Sequence, residues 1–264
     1  PPYAAQGQLP QDTTPSADGW KAAFWTLALS VLGWALLAWI AFDMDHPVAR
    51  LTMPMSSHWT ALNAIAILCM WAVMMAAMML PSALPMVLTF ARLCEPSGER
   101  TRWRAFVAAY LLAWLGFSVA ATAVQWALQA AGWVNPMIVS TSALLTGLLL
   151  LVAGAYQFSP LKRTCLARCR SPMGFLLGEW RGGVLGGARM GLRHGLFCLG
   201  CCWALMALLF VGGVMNLAWI AALSRNLCID HYRKRRREKG FRFLSDDAVS
   251  ALLPATDDPQ ADAV

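Results

Sequence analysis

Charged residues are scarce in this sequence. Lysine, arginine, aspartate and glutamate together make up 13% of its 264 residues, whereas apolar residues make up 58%. An ordinary soluble domain carries roughly a quarter of charged residues, so the composition excludes a typical soluble globular protein. The long apolar runs that recur along the chain predict instead an all-α fold, a polytopic transmembrane helical bundle.

The motifs of the common enzyme classes are also missing. The sequence contains no phosphate-binding glycine loop, no Gly-x-Ser-x-Gly elbow and no His-Glu-x-x-His. The apolar runs contain no aspartate or glutamate, which argues against a carrier that moves protons through a carboxylate relay. No cleavable signal peptide is evident. Whether the protein is an enzyme stays open, and a non-enzymatic role is the favoured reading.

Five apolar runs are long enough to cross a bilayer, which takes about 20 helical residues. The predicted spans cover residues 20–42, 59–80, 103–130, 138–158 and 196–223. Pro81 and Pro85 are expected to kink or end the second span, because proline lacks a backbone N–H. The fifth run is long for one span, so a break at Gly212-Gly213 would give six spans.

The two ends of the chain have a different composition from its centre. Residues 1–19 are predicted to be a disordered leader and residues 20–223 the transmembrane domain. Residues 224–264 form a basic and then acidic tail, expected to be disordered or aberrant. The chain has a net charge of +7, but its basic residues are concentrated between apolar runs, so nucleic acid is not expected as a partner.

Loop charges predict the orientation of the helices. Residues 92–104 and 159–193 are rich in arginine and lysine, and such loops stay on the cytoplasmic side of a membrane. Five spans then place the N-terminus in the cytoplasm and the C-terminus outside. The basic run at 233–237 conflicts with this arrangement, because it resists export.

Glycines recur at a regular spacing in the second basic loop. Gly183, Gly187, Gly191 and Gly195 are each four residues apart, which places them on one face of a helix and allows another backbone to approach closely. A short surface or re-entrant helix on the cytoplasmic side is predicted here. A flexible glycine-rich loop is the alternative.

A cluster of soft donor atoms opens the fifth predicted span. His194, Cys198 and Cys202 are spaced by four residues and share a helical face, and Cys201 lies close to it. Thiolates favour Cu(I), whereas Zn²⁺ is the alternative ion for cysteine and histidine ligands. The vicinal thiols of Cys201 and Cys202 cannot both face one point from an ideal helix. The alternative reading is that small cysteines simply pack against neighbouring helices.

Methionines form two stripes on the second predicted span. The stripes are Met70 with Met74 and Met78, and Met75 with Met79. Their thioethers would serve as relay ligands if this span faced the fifth one across a shared cavity. Methionine is also a common filler of apolar interiors, and that is the stronger reading for these residues taken alone.

Two further thiols lie in the second basic loop. Cys165 and Cys169 are surrounded by lysine and arginine, which favour the thiolate form. These cysteines would capture or release a metal at the cytoplasmic face, or exchange disulfides. The alternative is an ordinary positively charged loop that happens to hold two thiols.

Three segments together resemble a known bacterial family. They are Met70–Ala83, with its methionine stripes and Pro81; Tyr156–Lys162, followed by Cys165 and Cys169; and His194–Met206. The chain is similar over residues 20–222 to the family of domain of unknown function 2182, described as predicted metal-binding integral membrane proteins. The resemblance implies a bacterial inner membrane. After Leu223 the sequence departs from the family pattern, which predicts a further span, and a frameshifted or replaced C-terminus would explain the departure.

Three functions remain open at this point. The first is binding of a soft metal ion, Cu(I) above zinc, for transport, insertion or delivery to a membrane or periplasmic protein. The second is a membrane thiol oxidoreductase that cycles a disulfide between two of the cysteines near His194. The third is a structural or assembly subunit of a membrane complex. The lipid bilayer is a partner in all three, and a homo-oligomer is compatible with each.

Overall fold

Nine helices make up the part of the chain that a computed structural model describes. That part comprises residues 17–55, 58–94, 100–170 and 172–213 and the single positions 216, 218, 220, 221 and 225. Its helices are α1 (Ala17–Phe42), α2 (Pro47–Thr52), α3 (Ala61–Cys94), α4 (Arg100–Ala130), α5 (Ala143–Gln157), α6 (Pro160–Arg170), α7 (Pro172–Glu179), α8 (Gly183–Ala207) and α9 (Leu209–Gly212). The all-α prediction is confirmed. Nearly all of the predicted leader and tail lies outside the described residues, although the last three leader residues belong to α1.

The long helices match the requirement for membrane spans. Four helical segments are long and apolar enough to cross a bilayer, namely Gly19–Phe42, Ala61–Cys94, Thr101–Ala130 and Gly183–Gly212. Helices α5 and α6 qualify together as a fifth span, bent by 65° at the residues that join them. This agrees with the prediction of about five spans. The last of these segments ends at Gly212, within the Gly212-Gly213 pair where a break was predicted. The next residue, Gly213, caps the helix with a φ of +83°, a conformation that suits glycine.

Two helices begin at other residues than predicted. The fourth apolar run begins its helix at Ala143 rather than at residue 138, because residues 134–140 form a turn closed by an isolated bridge between Val134 and Ser140. The last long helix begins at Gly183, not at residue 196. The glycine stripe is therefore part of the same helix as the cysteines, and not a separate surface or re-entrant helix.

The glycine stripe lets α8 pack directly on the backbone of α4. A Cβ atom added at Gly191 would lie 2.1 Å from the carbonyl oxygen of Phe106, and one at Gly195 would lie 2.7 Å from the Cβ atom of Ala113. Real Cβ atoms do not approach that closely, so these positions accept only glycine without a shift of the helices. Small residues serve helix packing in this way when lipid surrounds the bundle. The packing fixes α8, and with it the cysteines, against α4.

Helix α3 continues through both of its prolines, so they do not end it. Pro81 has no N–H for the carbonyl of Ala77, four residues earlier, but the hydroxyl of Ser30 on α1 donates to that oxygen at 2.7 Å. A freed carbonyl inside a bundle must find such a partner, because lipid supplies none. The bond also ties α1 to α3 where Gly33 of α1 meets Ala77.

A buried aromatic core joins the ends of α3, α4, α7 and α8. Phe90, Phe106, Phe175 and Met190 are each at most 3% exposed and belong to one apolar cluster. Trp180 follows α7 and packs against Phe90, with ring centroids 5.9 Å apart. This core holds the short helix α7 against the bundle, beside the segment of α8 that carries the cysteines.

Candidate metal centre

Three thiols converge between α6 and α8. The sulfur atoms of Cys169, Cys198 and Cys201 all lie within 4.8 Å of one another. Among the histidine, cysteine, aspartate and glutamate side chains of the described residues, this is the one group of three or more with ligand atoms so close. Cys169 is partly exposed, whereas Cys198 and Cys201 are each 9% exposed. The centre therefore lies at the edge of the protein interior, with one ligand toward its surface.

The local sequence explains how the helices meet at this centre. Cys198 and Cys201 are three residues apart in α8, a spacing that puts both on one helical face. Between them, Gly200 leaves room for α6, because an added Cβ atom would lie 2.8 Å from the sulfur of Cys165. The hydroxyl of Tyr156, at the end of α5, donates to the carbonyl of Gly200. A glycine thus lets α6 approach closely enough for Cys169 to join the pair from α8.

The other two predicted thiols lie beside the group of three. Cys165 is 8% exposed, and its sulfur lies against Gly200, the residue before Cys201. Cys202 is 1% exposed and interacts with Cys198 and Cys201. The loop cysteines and the span cysteines were predicted to act at separate places, whereas the structure brings Cys169 of α6 together with Cys198 and Cys201 of α8.

The vicinal thiols share one acceptor. The sulfur atoms of Cys201 and Cys202 both donate to the carbonyl of Cys198, at 3.0 and 2.9 Å. A residue three or four positions on in a helix reaches that oxygen when its side chain points back along the axis. All five cysteines of α6 and α8 are free thiols. The cluster is thus a reduced, hydrogen-bonded set of sulfur donors.

His194 lies beneath the thiols in an aromatic cage. It is 3% exposed, and its imidazole stacks on Phe106 and Tyr110, with ring centroids 6.0 and 5.6 Å apart. Phe175 meets it edge-on at 5.4 Å. His194 lies one helical turn before Cys198 in α8 but is not a member of the group of three. The four-residue spacing puts His194 on the same face of α8 as Cys198, and its role as a ligand stays a prediction.

The four candidate methionines lie inside the bundle. Met74, Met75, Met78 and Met79 are each at most 1% exposed. A link from α3 to the thiols runs through Tyr110 of α4, whose hydroxyl donates to the carbonyl of Met79 at 3.3 Å and lies 3.5 Å from the sulfur of Cys198. The backbone of α3, rather than a thioether, makes this contact, so the methionine relay stays a prediction.

Several residues of the centre were missed by the sequence reasoning. Tyr110, Tyr156 and Gly200 carry no local motif, and only the packing of α4, α5 and α6 on α8 gives them a role. Glu179 did carry a signal, because it is the only acidic residue between Arg100 and Leu223. Its carboxylate forms ion pairs with Arg168 and Arg193, which border the centre on α6 and α8.

The fold and the centre together define a class of protein: a polytopic helical bundle with a buried cluster of thiols suited to a soft metal ion. Comparison with known proteins agrees with this class. A family model described as "PpoB2: Copper chaperone" matches residues 68–242, about two thirds of the chain. The chain belongs to this family of copper chaperones.

The match includes α3 from residue 68 onward and all of α4 to α9, and so contains every candidate ligand. Its family name differs from the one suggested by the motifs, so the resemblance to domain of unknown function 2182 stays a prediction, while the expected link to metal is supported. The search of curated proteins and that of solved structures gave no match.

Proposed function

We propose that this protein binds Cu(I) at Cys169, Cys198 and Cys201 and passes the ion across the membrane or to a protein partner. The convergence of the three sulfur atoms within 4.8 Å carries the proposal. A metal–sulfur bond of about 2.3 Å places three trigonal sulfur ligands about 4 Å apart. The thiols therefore need to move by less than about 1 Å to surround an ion.

Copper suits this centre better than zinc does. Cu(I) selects soft thiolate and thioether donors, and the converging donors here are all sulfur. Structural zinc sites are almost always tetrahedral with four ligands, and His194, the candidate for the fourth, is packed between aromatic rings. The copper chaperone family to which the chain belongs supports the same choice.

The remaining candidate ligands have supporting roles in this proposal. Cys165 and Cys202 lie beside the three primary ligands and would exchange with them as the ion enters or leaves. His194 would serve as an additional ligand if its ring turned toward Cys198. The thioethers of Met74, Met75, Met78 and Met79 would carry the ion further into the bundle.

Copper content measured on purified protein tests the proposal. The protein, in detergent and under reducing, anaerobic conditions, is loaded with Cu(I), desalted and analysed by mass spectrometry for bound copper. Serine substitution of Cys169, Cys198 or Cys201 is expected to abolish tight binding. Cys94→Ser is the matched control, because Cys94 is also buried but lies at the end of α3, and Cys69→Ser is an exposed control. Equal copper in all variants would refute the proposal.

The same proximity of sulfur atoms supports a second candidate, a membrane thiol oxidoreductase. Two thiols within 4.8 Å of each other form a disulfide after a small rotation of their side chains. Alkylation of the reduced and oxidised protein, followed by mass measurement, distinguishes the candidates. A reversible disulfide that turns over with a thiol substrate, without stoichiometric copper, would favour this second function.

We place the protein in the inner membrane of a bacterium, with its N-terminus in the cytoplasm. The basic residues of α6 and of the segment before Cys198 support this orientation through the positive-inside rule. Cysteine accessibility provides a test. A cysteine introduced at Met55, which is 88% exposed between α2 and α3, is expected to react with a membrane-impermeant maleimide from the outer side only, and labelling from the cytoplasmic side would reverse the orientation.

A further inference from the structure

Glu179 is an isolated negative charge in a basic part of the chain. No other aspartate or glutamate occurs between Arg100 and Leu223. Glu179 is the last residue of α7, and its side chain is only 11% exposed. A carboxylate at this depth is costly to desolvate unless cations are held against it, so its position calls for a reason.

The two oxygens of this carboxylate join the two helices that supply the thiols. Oε1 of Glu179 lies 3.5 Å from a guanidinium nitrogen of Arg168 on α6, and Oε2 accepts a hydrogen bond from Arg193 on α8. Arg168 immediately precedes Cys169, and Arg193 lies between one and two helical turns before Cys198. The carboxylate thus connects the α6 ligand to the α8 ligands through charged contacts on both sides.

Helix α6 is held mainly by its packing on α8. Helices α5 and α6 meet at an angle of 65°, so α6 is not a straight continuation of α5. Its contacts with α8 include the approach of Cys165 to Gly200 and the stacking of Arg168 over the ring of Phe197, 5.4 Å from guanidinium carbon to centroid. The charged link through Glu179 adds a directional restraint to these contacts.

We propose that Glu179 is a positioning residue that holds α6 against α8 and so completes the centre. The inference rests on the proposed function for its consequence, which is that loss of the carboxylate weakens copper binding without removal of any ligand. Outer-shell partners of metal ligands commonly change affinity by about 10- to 100-fold when mutated. Glu179→Gln, which keeps the shape and removes the charge, is expected to weaken Cu(I) binding by about 10-fold.

Disulfide trapping in the metal-free protein tests the positioning role by itself. The reduced full-length chain is oxidised briefly with diamide, and its disulfides are identified by peptide mass mapping. In the wild-type protein Cys169 is expected to pair with Cys198 or Cys201. In Glu179→Gln the share of these interhelical disulfides is expected to fall several-fold relative to disulfides within α8, which do not depend on the position of α6.

Matched variants separate the ion pairs from a general loss of charge. Arg168→Gln is expected to show at least the loss seen in Glu179→Gln, because it also removes the contact with Phe197. The double variant is expected to show little loss beyond that of Arg168→Gln, because the ion pair to Glu179 is already broken there. Arg163→Gln is the control, since Arg163 is an exposed cation of α6 with no ion pair to Glu179 in the described part of the chain. If Glu179→Gln does not fold, Arg168→Gln, which retains the buried carboxylate and its bond to Arg193, gives the same test.

The results distinguish this inference from the proposed function. Unchanged trapping and unchanged copper affinity in both folded variants would overturn the positioning role. A second outcome is that Glu179→Gln lowers the share of interhelical disulfides while the wild-type protein binds no Cu(I). That result would leave the positioning role intact and refute the copper site. Equal losses in Arg163→Gln and Arg168→Gln would also overturn it, because the effect would then follow net charge and not the contact.

Discussion

The hydroxyl of Ser30 is expected to stabilise the fold because of a proline on another helix. It donates to the carbonyl of Ala77, which Pro81 leaves without its usual N–H partner. Ser30 is 5% exposed, so water does not replace the bond in Ser30→Ala. Leaving a buried carbonyl unsatisfied costs about 1–3 kcal/mol, whereas hydrogen bonds between membrane helices average about 0.6 kcal/mol when the partners have other options. We expect Ser30→Ala to cost at least about 1 kcal/mol.

The same reasoning predicts that the cost disappears when the proline is removed. In Pro81→Ala the new N–H of residue 81 donates to Ala77, so Ser30→Ala in that background is expected to cost less than about 0.5 kcal/mol. The free energy of unfolding is measured for the four proteins of the cycle by titration from a mild detergent into a denaturing one. Equal costs of Ser30→Ala in both backgrounds would refute the argument, because the hydroxyl would then act independently of Pro81.

Other contacts give further predictions. Gly191→Leu is expected to lower the unfolding midpoint strongly, because a Cβ atom there meets the backbone of α4, while Gly147→Leu on α5, where the space is open, is the control that should change little. Tyr110→Phe removes the hydroxyl that contacts Met79 and Cys198; the free energy of unfolding is expected to fall by about 1 kcal/mol with copper content unchanged, and a loss of copper would contradict this prediction. Trp71→Phe leaves the amide of Gln125 without its 2.7 Å partner and should cost about 1–3 kcal/mol in chemical unfolding, so an unchanged midpoint would contradict it.

Much of the fold is predictable from hydrophobic runs alone. The helices α1 and α4 begin and end within about three residues of the predicted spans, because an uninterrupted apolar run decides them locally. Helix α3 was predicted to be kinked or ended at Pro81, since the partner that compensates the proline lies 47 residues away on α1. A tertiary hydrogen bond of that kind leaves no mark in the local sequence.

The candidate site was predictable on one helix but not between helices. The spacing of Cys198 and Cys201 gives their shared face directly, whereas the addition of Cys169 depends on how α6 folds back onto α8 at Gly200. The glycine stripe indicated close packing, but its partner, α4, could not be read from spacing. Hydropathy predicted that this helix begins at Leu196, whereas α8 begins at Gly183. The difference arises because arginines and glycines lower the mean hydropathy of its first turns.

The hydrogen bonds from two thiols to one carbonyl bear on the proposed uptake of a metal ion. The S–H groups of Cys201 and Cys202 both give their hydrogen to the carbonyl of Cys198, and a cysteine must lose that hydrogen before it can hold a metal. Capture of an ion by the proposed centre would therefore displace the hydrogen of Cys201, and uptake would grow stronger as the surroundings become more alkaline. Cys169 is the most exposed of the three proposed ligands, so we expect the ion to enter on its side of the centre.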